Sequence, residues 1–543
     1  MFGDLLHFIR REVKGPKLAV VLFTALVGIK HGLLLAIINE AVEEASAGTV
    51  APILAMGFVL MLVLYLGAGY YAFSRSIRLV TQLTEGLRLR LCEKLFDSNL
   101  QLIEEQGKGE IYSQLTRDVN QLSSSILRVL EAFQAVVLVF FCLLYIGWLS
   151  WPGLVATCVA ILLGVMAYRV QDAHAERLLR STRAREADFF DGISDLLDGF
   201  KELKMTSLRA RGLHKELWET ADEFRELTTR TEIRFSISLL TSQSFMFALL
   251  GVVVFLYPEA FATDSIALYK FLAAVLFMLG PLEVAVDSLP SIIRGRVSLE
   301  QILKLEARLD SGLHNARISG GDAVRSLPMA PLRLDGLRYR FGEEGGFELG
   351  PVTLTIEPGS IIFIVGGNGS GKTTLLKLIT GLYQPNSGQI YLGDQVIHED
   401  TYPAYRELFS QVFWDFHLFR RLHGLMVGEP AVESWLERLG LARKIRFSKD
   451  GFTKLNLSTG ERKRLAFLVA RLYDREIFLF DELTADQDPH YRRYFYETLL
   501  PELKHQGKTV IAVTHDDAWF HACDRLLKMD YGRLTELPVS SSW

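Results

Sequence analysis

The sequence predicts a membrane-embedded all-α domain followed by an α/β domain with a phosphate-binding loop, and three observations carry that reading. Six apolar runs of bilayer-spanning length fall between residues 18 and 289. They stop around 307–331, where Gly320-Gly321, Pro328 and Pro331 mark a linker. Beyond it, short β-branched runs alternate with helical patterns, and one such run feeds a GxxxxGK[ST] loop. The expected domains are residues 1–306, a linker over 307–331, and 332–543.

Composition agrees with a chain partly in lipid. The 543 residues are 49% hydrophobic and 22% charged, with a mean hydropathy of +0.20, less charged than the ~25% of soluble domains. Disorder and a disulfide scaffold are excluded. A net charge of −4 argues against a nucleic-acid partner, which needs a basic footprint. Cys92, Cys142, Cys158 and Cys523 show no CxxC spacing and are expected to be buried small hydrophobes.

The six runs lie near 18–38, 50–73, 131–149, 153–170, 235–257 and 266–289, each close to the ~20 residues that cross the hydrocarbon core as a helix. The first is too long for a signal-peptide core and is expected to be retained. The short stretches 40–49, 150–152 and 258–265 contain no Lys or Arg, whereas 75–128 and 169–234 are rich in both. The positive-inside bias therefore puts both termini and both long segments in the cytoplasm. Those segments keep helical apolar spacing (Leu87, Leu91, Leu95; Ile193, Leu196, Leu197, Phe200), as expected of membrane helices that continue several turns past the bilayer. Lys30 and His31 in the first run, and Glu283 and Asp287 one turn apart in the last, are the polar residues expected either to face a water-filled cavity or, for the second pair, to lie beyond the membrane.

In the second half, Ile361–Val365 reads as a buried strand. It leads into Gly366-Gly367-Asn368-Gly369-Ser370-Gly371-Lys372-Thr373 and the helix-compatible run from Thr374. The glycines let backbone N–H groups curl around phosphates at a helix N-terminus. Lys372 is expected to reach the β- and γ-phosphates of ATP, and Thr373 to ligate Mg²⁺. Ile477–Phe480 is a second buried strand, ending in Asp481 and Glu482. Asp481 is expected to hold Mg²⁺ through water and Glu482 to act as general base. A third strand, Val510–Val513, ends at Thr514-His515.

The order of these motifs resembles the exporter-type ABC transporters. Leu457-Ser458-Thr459-Gly460-Glu461 resembles their signature, Ala485-Asp486-Gln487-Asp488 their D-loop, and His515 their switch histidine. Leu95-Phe96, Gly109-Glu110-Ile111 and Leu115–Val119 are similar to their first intracellular loop, and Asp198–Lys204 to their second. The resemblance implies that Ser458, Gly460 and Asp488 serve the γ-phosphate on a second copy's P-loop, so a homodimer sharing two ATP sites is expected, with a heterodimer as the other arrangement. It implies that His515 senses that phosphate and that Phe341, or else Tyr339, stacks on adenine; both also fit strand core. It breaks at the Q-loop, where Phe409–Asp415 matches but Trp414 stands in place of the Mg²⁺-contacting glutamine. Only about forty residues separate this segment from Ser458, and no glycine-rich X-loop precedes Leu457. These departures look most like the bacterial cyclic-peptide and siderophore-peptide exporters, which implies ATP-driven export of a peptide-like amphipathic cargo across the inner membrane. The rival cargoes on this fold are drugs, lipids or an imported siderophore.

Overall fold

The computed structural model describes residues 8, 32–34, 36–44, 52–256, 265–311, 327–341 and 346–539. They form two compact units, one of residues 1–91 with 109–305, the other of 92–108 with 306–543.

The first unit is helical. Its long elements are α1 (Pro52–Phe96), α2 (Val119–Leu149), α3 (Trp151–Asp198), α4 (Ser207–Gly251) and α5 (Ser265–Ser311), the ends of α1 and α5 passing into the second unit. Five of the six apolar runs fall on these helices; most of the first run, with Lys30 and His31, lies outside the described residues. A 45-residue helix such as α1 is about 68 Å long, roughly twice the hydrocarbon thickness. Helix α3 starts cleanly because Ser150 caps it, its hydroxyl accepting from the Gly153 amide at 3.2 Å. The apolar core joins α2, α4 and α5 through Leu138, Cys142, Ile146, Met246, Leu249, Phe271 and Met278. Gly153 permits this packing, since a Cβ there would lie 2.9 Å from the Phe271 ring.

Two cysteines depart from expectation. Cys142 and Cys523 are buried, but Cys92 and Cys158 are exposed on the chain. For Cys158 the reason is that apolar sequence in a membrane span does not distinguish a protein-facing from a lipid-facing side, because lipid tails solvate both; Cys92 lies past its apolar run, on the exposed face of a charged helical segment.

The second unit is built on a six-stranded sheet. Its strands in chain order are β1 (Leu332–Arg340), β2 (Glu348–Ile356), β3 (Ile361–Val365), β4 (Ser387–Leu392), β5 (Gln395–Ile397), β6 (Phe409–Val412), β7 (Phe447–Ser448), β8 (Gly451–Phe452), β9 (Ile477–Asp481), β10 (Thr509–Val513), β11 (Arg525–Asp530) and β12 (Arg533–Leu537). The large sheet runs β12-β11-β3-β10-β9-β6, and β2-β1-β4-β5 form a second, antiparallel sheet. Strands β11, β3, β10, β9 and β6 are parallel, with β12 antiparallel at the edge. Burial on both faces explains their continuous apolar sequences. Ile362, Ile364, Leu479 and Ile511 enter the core shared with the antiparallel sheet, while Phe363, Phe478, Phe480 and Val510 enter the core on the other side. Between β6 and the helix that follows Ser458 there is one helix, Glu429–Arg438, and the β7–β8 hairpin.

The segment 92–108 belongs to this unit by contact as well as by grouping. Its helix Leu100–Gln106 sets Leu100 against the core, and Glu104 accepts from Lys377 Nζ at 2.8 Å and from the Tyr383 hydroxyl. Lys94 pairs with Glu306 at 2.9 Å and with Asp310 at 2.6 Å, and Arg308 donates to Gln106 at 2.6 Å.

Candidate active site

Three strand ends converge at the carboxyl edge of the parallel sheet, where open α/β sheets bind ligands. β3 delivers the loop 366–371 and helix α6 (Lys372–Ile379). β9 delivers Asp481 and Glu482, and β10 delivers Thr514 and His515.

The loop is shaped by its glycines. Gly366 passes so close to the β11 backbone that a Cβ would sit 2.1 Å from the Met529 carbonyl oxygen, and Gly371 has φ +104°. Gly367 and Gly369 border open space, and Asn368 is exposed. Lys372 is buried and its ammonium donates to the Gly366 and Gly367 carbonyls, each at 2.9 Å. Ser370 Oγ is buried without a hydrogen-bond partner, an unsatisfied polar atom inside a phosphate-sized loop. Thr374 lies one residue further into α6 and is half-buried.

Asp481 is 2% exposed, and burial pushes its carboxyl above the usual carboxylate range, against the bonds it accepts from the Thr373 hydroxyl and the Trp414 amide. The Thr373 bond is 2.8 Å long. A hydroxyl and a carboxylate side by side are an oxygen donor pair that fits Mg²⁺. Glu482 adopts φ +53°, which turns the chain sharply after the strand. His515 Nε2 lies 3.2 Å from Glu482 Oε1.

The second group of candidates lies on α7 (Thr459–Tyr473) and the loop after Glu482. Ser458 caps α7 in a capping box: its hydroxyl accepts from the Glu461 amide and its own amide donates to Glu461 Oε2 at 3.0 Å. The Lys444 ammonium and the Ser458 amide hold the Glu461 carboxyl down to about 2. Gly460 is fastened to the loop by Gln487 Nε2, which donates to its carbonyl at 2.8 Å. Asp488 caps the next helix, accepting from the Tyr491 amide at 2.9 Å, and pairs with Arg464. Among the described residues no hydrogen bond joins Ser458 or Gly460 to the P-loop of the same chain.

Of the two adenine candidates, Tyr339 is buried and stacked on Tyr383 with ring centroids 5.0 Å apart, which makes it a core residue. Phe341 is 39% exposed and meets Tyr339 edge-on. Trp414 is 61% exposed. Gln411 and Asp415, whose side-chain oxygens lie in the same segment, are exposed. Sequence reasoning missed Lys463, whose ammonium donates to the Glu482 carbonyl at 2.7 Å. It also missed a buried cluster in which Asp516 accepts from Thr484 at 2.7 Å and from Tyr496 at 3.0 Å. Neither carries a local pattern, because each joins residues distant in the chain.

A glycine-rich loop opening a helix, two carboxylates at a strand end, a helix capped by Ser458 and a histidine beside Glu482, on a chain whose other half is a bundle of membrane-length helices, are the parts of an ATP-driven membrane transporter. The chain belongs to the ABC transporter family, as an exporter-type half-transporter whose ATP hydrolysis is coupled to transport: residues 349–485 match the ABC transporter ATPase model and 18–257 the ABC transporter transmembrane region. It is 31% identical to the ATP-binding protein SyrD of Pseudomonas syringae pv. syringae, over 94% of this chain and 93% of that protein. It is 23% identical to an ATP-dependent lipid A-core flippase of Burkholderia pseudomallei, over 83% of this chain and 77% of the other. A bacterial Atm1-family ABC exporter with ATP bound shares its fold with a TM-score of 0.79, at 19% identity, over 97% of this chain and 95% of that one.

Proposed function

We propose that the chain works as a homodimer exporting a peptide-like amphipathic molecule (a cyclic peptide, siderophore peptide or lipopeptide) across the bacterial inner membrane, with both termini in the cytoplasm. Each ATP lies between the P-loop of one copy and the N-terminus of α7 of the other. One P-loop and one signature helix per chain support this arrangement. The amides of 366–373 and the Lys372 ammonium hold the phosphates, and Phe341 supports the adenine. Thr373 and Asp481 supply ligands to Mg²⁺, which offsets phosphate charge when bound. Glu482 accepts the proton of the attacking water. His515, 3.2 Å from that carboxylate, orients it and contacts the γ-phosphate. Ser458 and the Gly460 amide bind the same phosphate from the other copy, and Asp488 keeps their helix in place through Arg464. Closure of the two ATPase domains turns the cargo cavity outward, and hydrolysis resets it.

The observation that carries a peptide-like cargo is polar chemistry within the last two spans. Gln243 Nε2 donates to Glu283 Oε1 at 3.1 Å, and Asp287 follows one turn later on the same face. A carboxylate in hydrocarbon costs about 2.5–3.5 kcal/mol or more, a penalty that a water-filled cavity removes. Amide and carboxylate groups there suit peptide amides and basic side chains. The test is ATPase activity in lipid vesicles with candidate peptides on either side. It is paired with thiol labelling of Glu283→Cys and Asp287→Cys after the exposed Cys92 and Cys158 are replaced by serine. Labelling that changes with ATP, and peptide-stimulated turnover, are expected. No labelling in either state, with turnover stimulated by a lipid A-type glycolipid and by no peptide, would replace this reading with lipid transport.

A further inference from the structure

Lys463 is a buried lysine in the second turn of α7, its side chain 7% exposed. A buried ammonium is tolerated only where oxygen atoms surround it. Both of its partners lie on the loop that follows β9: the Glu482 carbonyl at 2.7 Å and the Asp486 carboxylate, also at 2.7 Å. The first partner is unusual. Glu482 sits at φ +53°, a conformation that strains an L-residue with a long side chain and persists only when its surroundings hold it. Its amide donates to the Val513 carbonyl at 3.1 Å, and its own carbonyl accepts from the Ala485 amide at 3.3 Å and from Lys463. With the peptide so fixed, the carboxylate reaches His515 at 3.2 Å.

The same helix begins at the signature residues. Three residues before Lys463, the Gly460 carbonyl takes the Gln487 amide at 2.8 Å, and Gln487 in turn accepts from Arg464 at 2.9 Å. Helix α7 and the loop 482–488 are thus tied along two successive turns, with Lys463 as the tie that touches Glu482.

We infer that Lys463 is the positioning residue of the hydrolytic step: it clamps the Glu482 peptide in the orientation that aims the carboxylate. By lying on α7 it also makes that aim depend on where the signature end of the same helix rests. The inference rests on the reading of Glu482 as general base and of α7 as serving the partner's nucleotide. Its consequence is that the two ATP sites of the dimer communicate through each chain's own helix, since the helix presented to one nucleotide holds the base that serves the other.

The experiment compares parent, K463M, K463Q and E482Q as full chains in lipid vesicles. It measures kcat and KM for ATP together with the rise in Tm on adding ATP. Methionine keeps the bulk and removes both bonds; glutamine keeps an N–H donor without the charge. K463M is expected to lose about 10²-fold in kcat, the scale of a misplaced catalytic group, with KM and the Tm rise close to parental. K463Q is expected to fall between, at about a tenfold loss. A lysine needed only for folding would lower the ATP-binding fraction together with turnover, so kcat is counted per ATP-binding site, a quantity that such a lysine would leave unchanged. Parental kcat in K463M, or a change confined to KM, overturns the inference. Should K463M show no ATP-dependent Tm rise, K463Q decides: a kcat loss at unchanged KM supports the clamp, and parental kcat overturns it. E482Q separates the two readings. Parental turnover in E482Q removes the general base itself, whereas an inactive E482Q beside a parental K463M removes only the role of Lys463.

Discussion

Glu104→Ala offers a direct measurement of how firmly the helix tip 92–108 is held to the ATPase sheet. The Glu104 carboxylate accepts from Lys377, whose side chain is 13% exposed, and from the Tyr383 hydroxyl. Burial and this carboxylate both push the Tyr383 hydroxyl above its ordinary pKa. Two charge-assisted bonds at a site where Glu104 itself is 33% exposed are together worth about 2 kcal/mol after allowance for water. Lys377 retains the Tyr383 hydroxyl at 3.3 Å, so it is not stranded, and Leu100 keeps its place against the core. At ~1.36 kcal/mol per decade, the open population of the tip rises about 30-fold. Hydrogen exchange of the Leu100–Gln106 amides reads this population directly, with the β3 amides as an internal reference. We expect exchange about 30-fold faster at the tip and unchanged in β3. A change at the tip of less than about threefold would show that Leu100 and the Lys94 and Arg308 contacts hold the segment without Glu104.

Three further outcomes are expected. Glu482→Gln keeps every phosphate contact and loses the proton acceptor, so ATP should accumulate bound while turnover drops ~10²–10⁴-fold; near-parental turnover would refute the role of that carboxylate. Asp481 titrates above the usual carboxylate range, so its own contribution to the stability of the free protein is fully present below the unfolded value of ~3.9 and is lost as pH rises through the folded value. A divalent cation favours the ionised form, so the Tm increment that Mg²⁺ adds to ATP should shrink as pH is lowered through the folded value of Asp481, and more so in the parent than in Asp481→Asn; the same pH dependence in both proteins would contradict this. The Trp414 side chain is exposed, so Trp414→Ala should spare basal Mg²⁺-ATP hydrolysis and reduce cargo-stimulated turnover, and Trp414→Gln should bind Mg²⁺-ATP at least as well as the parent. Loss of nucleotide binding in Trp414→Ala would assign the indole to the nucleotide instead.

What could be read in the sequence was whatever is local or periodic. The strands β3, β9 and β10 announce themselves as unbroken apolar runs because both faces are buried, and the motifs follow each strand within a few residues. The continuation of the helix from Pro52 to Phe96, well past its apolar run, was visible because apolar spacing at helical period continues beyond Leu87 into charged sequence. What escaped depends on distance in space. Nothing in Leu100–Gln106 says that Glu104 meets a lysine 273 positions later, and the π-helical turn Gln114–Asp118 lies inside a run that reads as uninterrupted α-helix. The exposed side of Cys158 escaped because hydropathy cannot tell lipid from protein. The left-handed backbone at Glu482 escaped for a different reason: glutamate has no preference for it, and only the tertiary bonds around it impose it.

That backbone conformation sets thermal stability and activity against each other at one position. A left-handed residue other than glycine carries roughly 1–2 kcal/mol of strain, which glycine at 482 would release. A laboratory evolution campaign scored on heat resistance alone would therefore find replacement of Glu482 rewarding, and would drift toward chains that melt later and turn over nothing. With Glu482 as the proposed base, the glutamate would persist there only under selection for work done, and in a set of diverging copies its loss would mark those released from pumping.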